Sequence, residues 1–109
     1  MNKAVSQRCE TRARILKALA HPSRLFIVET LARRPYCVCE LRDMIGADIS
    51  TVSRHLSILR NAGIVVDKKR GTQVIYTLTA ECLLKFLSCV EAVALHHARR
   101  RLREAGGKR

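Results

Sequence analysis

A mainly α-helical chain carrying one β-hairpin, ordered as four helices, two strands and a last helix, is what this sequence predicts. Three features predict it. Apolar residues recur at helical spacing in consecutive stretches up to Gly63. The period then changes, and "IVVDKKRGTQVIYTL" alternates as two short strands around a basic turn. Beyond Ala80 the helical spacing returns and holds to about Arg103.

Each element has its own cause. Ile15, Leu16, Leu19 and Ala20 follow helical spacing and predict a first helix over roughly residues 4–19. "HPSRLFIVETLARR" opens a second, because Pro22 lacks an N–H that the first turn does not need. Leu25, Val28, Leu31 and Ala32 mark its inner face, and Pro35 ends it. A third runs from Val38 to Ile45 with Val38, Leu41 and Ile45 inward, and Gly46 stops it. Asp48 or Ser50 caps a fourth, "ISTVSRHLSILRNAG", whose buried stripe is Val52, Leu56 and Leu59 and whose end is Gly63. The strands are expected at Ile64–Asp67 and Gln73–Leu78, joined by "KKRG". Leu83, Leu87, Val90 and Ala94 set the inner face of the last helix, about residues 80–103, with a basic, frayed end.

Composition narrows the partners. Hydrophobic residues are 48% of the 109, enough for one core, so a single domain over 1–109 is expected. With two Phe, two Tyr and no Trp, aliphatic side chains must build that core. A formal charge of +12 points to a polyanion such as nucleic acid. No apolar run approaches the roughly 20 residues that span a bilayer, so no membrane partner is expected. The charged N-terminus does not read as a signal peptide, which makes the expected location cytoplasmic and its five cysteines thiols.

The third and fourth helices, separated by "GADI" over about residues 38–62, have the form of a helix-turn-helix. With Val52 buried, Ser50, Arg54, Ser57 and Asn61 take the opposite face, flanked by Thr51 and Ser53. Small hydroxyls let a helix lie deep in a major groove, and Arg54 can reach guanine or a phosphate. An exposed polar face alone would be unremarkable. The hairpin that follows, about residues 64–79, presents Lys68, Lys69 and Arg70 at its tip, where a wing touches DNA backbone. The fold expected is therefore a winged helix-turn-helix. His55, at the edge of the buried stripe, is expected to be half-buried or to contact phosphate.

"LKALAHPSRLFIVETLA", "CVCEL", "STVSRHLSILRNAGIV" and "DKKRGTQVIYTL" together resemble the ArsR/SmtB family of metal- and metalloid-sensing repressors. The resemblance covers roughly Ala13 to Leu78. It implies a homodimer paired through the first and last helices, bound to a palindromic double-stranded DNA operator without any cofactor and released by an inducer. Cys37 and Cys39 match the pair that, in the family's "ELCVCDL" motif, ligates arsenite or a soft cation. Where the arsenite-sensing form has a third cysteine, this chain has Arg42. Trivalent arsenic or antimony is best held by three thiolates, so Cys9, Cys82 and Cys89 are the candidates for the third. For Cys82 and Cys89 packing is the somewhat stronger expectation than ligation, since free cysteine is among the most buried residue types. On an ideal helix Cys37 and Cys39 would stand roughly 200° apart, so both reach one ion only if the first turn is irregular. Glu91, His96 and His97 lack the spacing of the family's terminal-helix zinc branch.

The expected function is thus a repressor released by arsenite, antimonite, or a soft divalent metal such as cadmium, lead or zinc. The competing expectation is a thiol-redox or persulfide-responsive repressor of the same fold without metal. No CxxC, phosphate loop or cofactor motif supports an enzyme.

Overall fold

The computed structural model describes residues 1–107. Five helices surround a small antiparallel sheet: α1 (Lys3–Leu19), α2 (Pro22–Leu31), β1 (Tyr36–Cys37), α3 (Val38–Ile45), α4 (Ile49–Asn61), β2 (Val65–Arg70), β3 (Gln73–Leu78) and α5 (Leu83–Gly107). The helix starts are fixed by side chains that satisfy orphan amides. Asn2 accepts from the Val5 N–H at 2.9 Å, and Asp48 accepts from the Thr51 N–H at 2.7 Å. Asp48, rather than Ser50, is therefore the cap of α4. Gly46 ends α3 at φ +78°, a left-handed conformation, and its N–H donates to the Arg42 carbonyl.

The core is the meeting of α2, α3, α4 and the sheet. Ile27, Val28, Leu41, Val52, Leu56 and Leu59 are completely buried, and Ile64, Val65, Tyr76 and Leu78 close the sheet side. Those of them that the helical periods singled out lie where expected. Two details of the sheet differ. The sheet has a third strand, because Tyr36 and Cys37 pair antiparallel with Tyr76 and Ile75 at the free edge of β3, giving the order β1-β3-β2. β2 begins at Val65 and continues through Lys68, Lys69 and Arg70, so these cations line an exposed strand beside the tip and the turn itself is Gly71–Thr72. Gly71 provides the positive φ of +62°.

α5 runs from Leu83 to Gly107, later at both ends than the spacing suggested. Only its first turns rest on the core, through Leu83 and Leu87. Val90 and Ala94, expected inward, are exposed, as are Phe86, Val93, Leu95 and Leu102. On α1, Leu16 is likewise exposed, while Ala18 and Leu19 are buried. Among the described residues no helix is long and apolar enough to cross a membrane.

Candidate nucleic-acid interface and thiol pair

α4 presents a polar face because its apolar residues are used up by the core. Val52, Leu56 and Leu59 point inward, leaving Ser50 and Arg54 exposed and Thr51, Ser53 and Ser57 half-buried along the other side. Ser50 is oriented at the first turn by donating its hydroxyl to Asp48 at 2.9 Å. Asp48, accepting from the Thr51 amide and from Ser50, has its carboxyl held below the usual range. Asn61 is also exposed. An ion pair at 3.0 Å between Arg60 at the end of α4 and Asp67 of β2 ties the helix to the wing. The pair is part-exposed and so weak in energy.

His55, expected half-buried or in contact with a phosphate, is 8% exposed and stands on the buried side of α4. Its Nδ1 accepts from the Arg24 guanidinium at 3.1 Å, and its ring lies 4.4 Å from that of His21. The spacing carried the signal: residue 55 is three after Val52 and four before Leu59, hence on their face of the helix. Arg24 and His21, also singled out by nothing but the "HPSR" opening, are the partners that make burial of an imidazole affordable.

The two cysteines occupy different kinds of position. Cys37 is the last residue of β1 and the cap of α3, extended at φ −82°, ψ 162° and 4% exposed. Cys39 is in the first helical turn and exposed. Since Cys37 is not helical, the roughly 200° separation of an ideal helix does not apply to the pair. Glu40 reaches back to accept the Cys37 N–H at 3.1 Å, and its other oxygen takes the Arg34 guanidinium at 3.1 Å. These contacts, the Cys37 N–H first and Arg34 second, hold the Glu40 carboxyl below its usual range. Arg34 also stacks 3.7 Å over the Tyr36 ring. The segment bearing the thiol pair is thereby pinned on both sides.

Cys9 is half-buried on α1, with Arg12 Nη2 3.6 Å from its Sγ, while Cys82 and Cys89 are exposed at and within the start of α5. All five thiols are free. Arg42, at the family position of a third sulfur, instead bonds Asp43 at 3.2 Å. Among the described residues no three His, Cys, Asp or Glu side chains converge as metal ligands.

Residues 21–66 match the family described as bacterial regulatory protein, arsR family. The HTH-type transcriptional regulator NmtR of Mycobacterium tuberculosis is 42% identical over 73 residues, 67% of this chain and 61% of that protein. The biofilm growth-associated repressor of Agrobacterium fabrum is 33% identical over 90 residues, 83% of this chain and 77% of the relative. Among solved structures, a homodimeric winged helix-turn-helix DNA-binding domain from Mycobacterium bovis superposes with a TM-score of 0.76 at 27% identity, covering 92% of this chain and 93% of that one. The element order, the polar face of α4 and these likenesses lead to one conclusion: this chain is a winged helix-turn-helix transcriptional regulator and belongs to the arsR family.

Proposed function

We propose that the protein is a homodimeric repressor that holds a palindromic operator through α4 and the β2–β3 wing, and leaves it when a thiophilic ligand engages Cys37 and Cys39. Trivalent arsenic, antimony, or a soft divalent cation has the matching chemistry. The observation that carries this reading is the seat of Cys37. It ends the strand that pairs with wing strand β3, and it caps α3, the helix packed on α4. A ligand that draws Cys37 toward the exposed Cys39 therefore pulls on the wing and on the reading helix's support together. Release by ~100-fold needs about 2.7 kcal/mol of difference in ligand affinity between the two states, which thiolate coordination can supply.

The apolar residues exposed on α5 and α1, Phe86, Val90, Val93, Leu95, Leu102 and Leu16, support a dimer through those helices, since a second copy could cover them. A dimer also brings a second set of thiols. Cys9, Cys82 or Cys89, from the same chain or its partner, would complete the three-thiolate set.

On α4, Ser50, Thr51, Ser53, Arg54 and Ser57 are the groove-facing set. Arg54→Ala is expected to weaken the specific complex by about 1–3 kcal/mol, and to relax preference at one base pair, if Arg54 reads a guanine. Fluorescence anisotropy on operator variants measures both effects. Lys68, Lys69 and Arg70 act on phosphates. Replacing one with Ala should lower affinity for every sequence alike and flatten the slope of log K against log salt by about 0.9 for each phosphate left without its cation. Salt titrations of the variant and the parent measure that slope.

A second reading has a specific observation in its favour, the free and exposed thiols of Cys39, Cys82 and Cys89, which an oxidant can reach. In it, oxidation or persulfidation of the thiols releases the operator without metal. One-apart cysteines make a strained disulfide, so Cys37 or Cys39 would pair with Cys89. One experiment tests both. The fully reduced protein–operator complex is titrated with arsenite, antimonite and cadmium, and in parallel with a mild oxidant, with thiols counted throughout. Release by one of the three ions at constant reducing potential supports the leading reading. Release only as thiols disappear favours the second, and no release in either arm rejects thiol sensing.

A further inference from the structure

We infer that Arg24 is a positioning residue for DNA binding: its guanidinium ties the C-terminal end of α1 to His55 on the reading helix, through a link that holds only while His55 is neutral. The inference rests on α4 being the DNA-reading helix, and does not depend on the thiols sensing anything.

The geometry has two halves. Arg24 Nε donates to the Ala18 carbonyl at 2.7 Å, and its Nη1 donates to His55 Nδ1 at 3.1 Å. Ala18 is in the last turn of α1, where carbonyls have no intrahelical partner, so one planar fork satisfies a helix end and grips the middle of another helix. His55 immediately follows exposed Arg54 and precedes the completely buried Leu56. The grip therefore sets the rotation of α4 at the position from which Arg54 leaves it. α1 also carries the exposed Leu16, so the same fork links the helix proposed for pairing to the helix that reads DNA.

The second half is protonation. His21, the cap of α2, accepts the Ser23 N–H at its own Nδ1 at 3.0 Å. His55 accepts from Arg24 at Nδ1 in the same way, so each ring carries its proton on Nε2 and neither holds a second proton without losing its hydrogen bond. The ring centroids are 4.4 Å apart, with the planes tilted by 45°. The charged or titratable groups bearing on His55 are His21 and Arg24 from α2 and Arg54 from its own helix, and α1 faces α4 with Arg14 and Lys17 nearer Asn61. A proton on His55 thus meets only cations and other imidazoles. Burial first, then His21, Arg24 and Arg54, holds the His55 pKa below its ordinary value. With the folded-state pKa depressed, the unfolded chain binds more protons, so this link's stability is present above about pH 6.5 and is lost as pH falls below it. The sign is diagnostic, because added positive charge on a basic protein otherwise tightens DNA binding.

Operator affinity is measured by anisotropy from pH 7.5 to 5.5 at fixed salt, with circular dichroism at each point. The parent should weaken by about fivefold over that range. Arg24→Ala, still helical, should bind about tenfold less tightly at pH 7.5. His55→Gln keeps an acceptor for Arg24 but cannot titrate; it should bind within about threefold of the parent at pH 7.5 and weaken by less than about twofold on acidification. A folded Arg24→Ala that binds as the parent does overturns the inference, and so does a His55→Gln profile that parallels the parent's. If Arg24→Ala does not fold, the His55→Gln profile decides alone.

Discussion

Cys37→Ser and Cys39→Ser are each expected to bind the operator as the parent does and to stay bound when the inducer is added. Neither should unfold the protein. Serine is a preferred helix cap, so at Cys37 it keeps the start of α3, and its hydroxyl has a backbone amide to bond in the 4% exposed site. Cys39 is exposed, and changes at such sites usually shift stability by no more than about 0.5 kcal/mol. What each variant loses is a thiolate. A release of ~100-fold, about 2.7 kcal/mol of coupling, should fall to within about twofold of none. Operator titrations with and without inducer, on both variants and the parent, measure this. Full release of either variant by the inducer would contradict the assignment of that cysteine.

Leu56→Ala carries the other large effect. The side chain is completely buried in the core, one residue past the His55 grip. Removing three carbons there costs about 2–5 kcal/mol, transfer and cavity together. A domain of this size has only about 5–15 kcal/mol to lose, and each kcal/mol moves Tm by roughly 4–8 °C. The melting temperature by circular dichroism should therefore drop by about 10 °C or more. Val66→Ala offers the contrast, since Val66 is 51% exposed on wing strand β2. A melting loss for Leu56→Ala no larger than that of Val66→Ala would mean the core is not organised as described.

The sequence disclosed the parts of the fold governed by local rules. The bounds of α3 could be read because Val38, Leu41 and Ile45 share a face and Gly46 takes the left-handed conformation that ends the helix. The start of α4 was narrowed to Asp48 or Ser50, and the wing was legible in the change of period after Gly63. Two-residue β1 was not legible. No pattern of period two exists in two residues, and the strand exists only because β3 has a free edge beside Tyr36 and Cys37. That pairing also decides the thiol site, since it takes Cys37 out of the helix and buries it. The link from His55 to Arg24 was not legible, because the two residues are 31 positions apart, beyond any local rule. The length of α5 exceeded its packing on the core for a similar reason: an amphipathic stripe signals burial without saying whether the covering surface is the same chain or a second copy.

The central claim is that Cys37 and Cys39 hold the inducer. X-ray absorption of the reduced protein loaded with arsenite at one ion per site, compared with the Cys37→Ser/Cys39→Ser double variant, tests it most directly. Arsenic bonded to sulfur is expected in the parent, with three sulfurs where a further cysteine completes the set, and that sulfur shell should be gone in the double variant. An arsenic spectrum with the same sulfur shell in both proteins would contradict the claim.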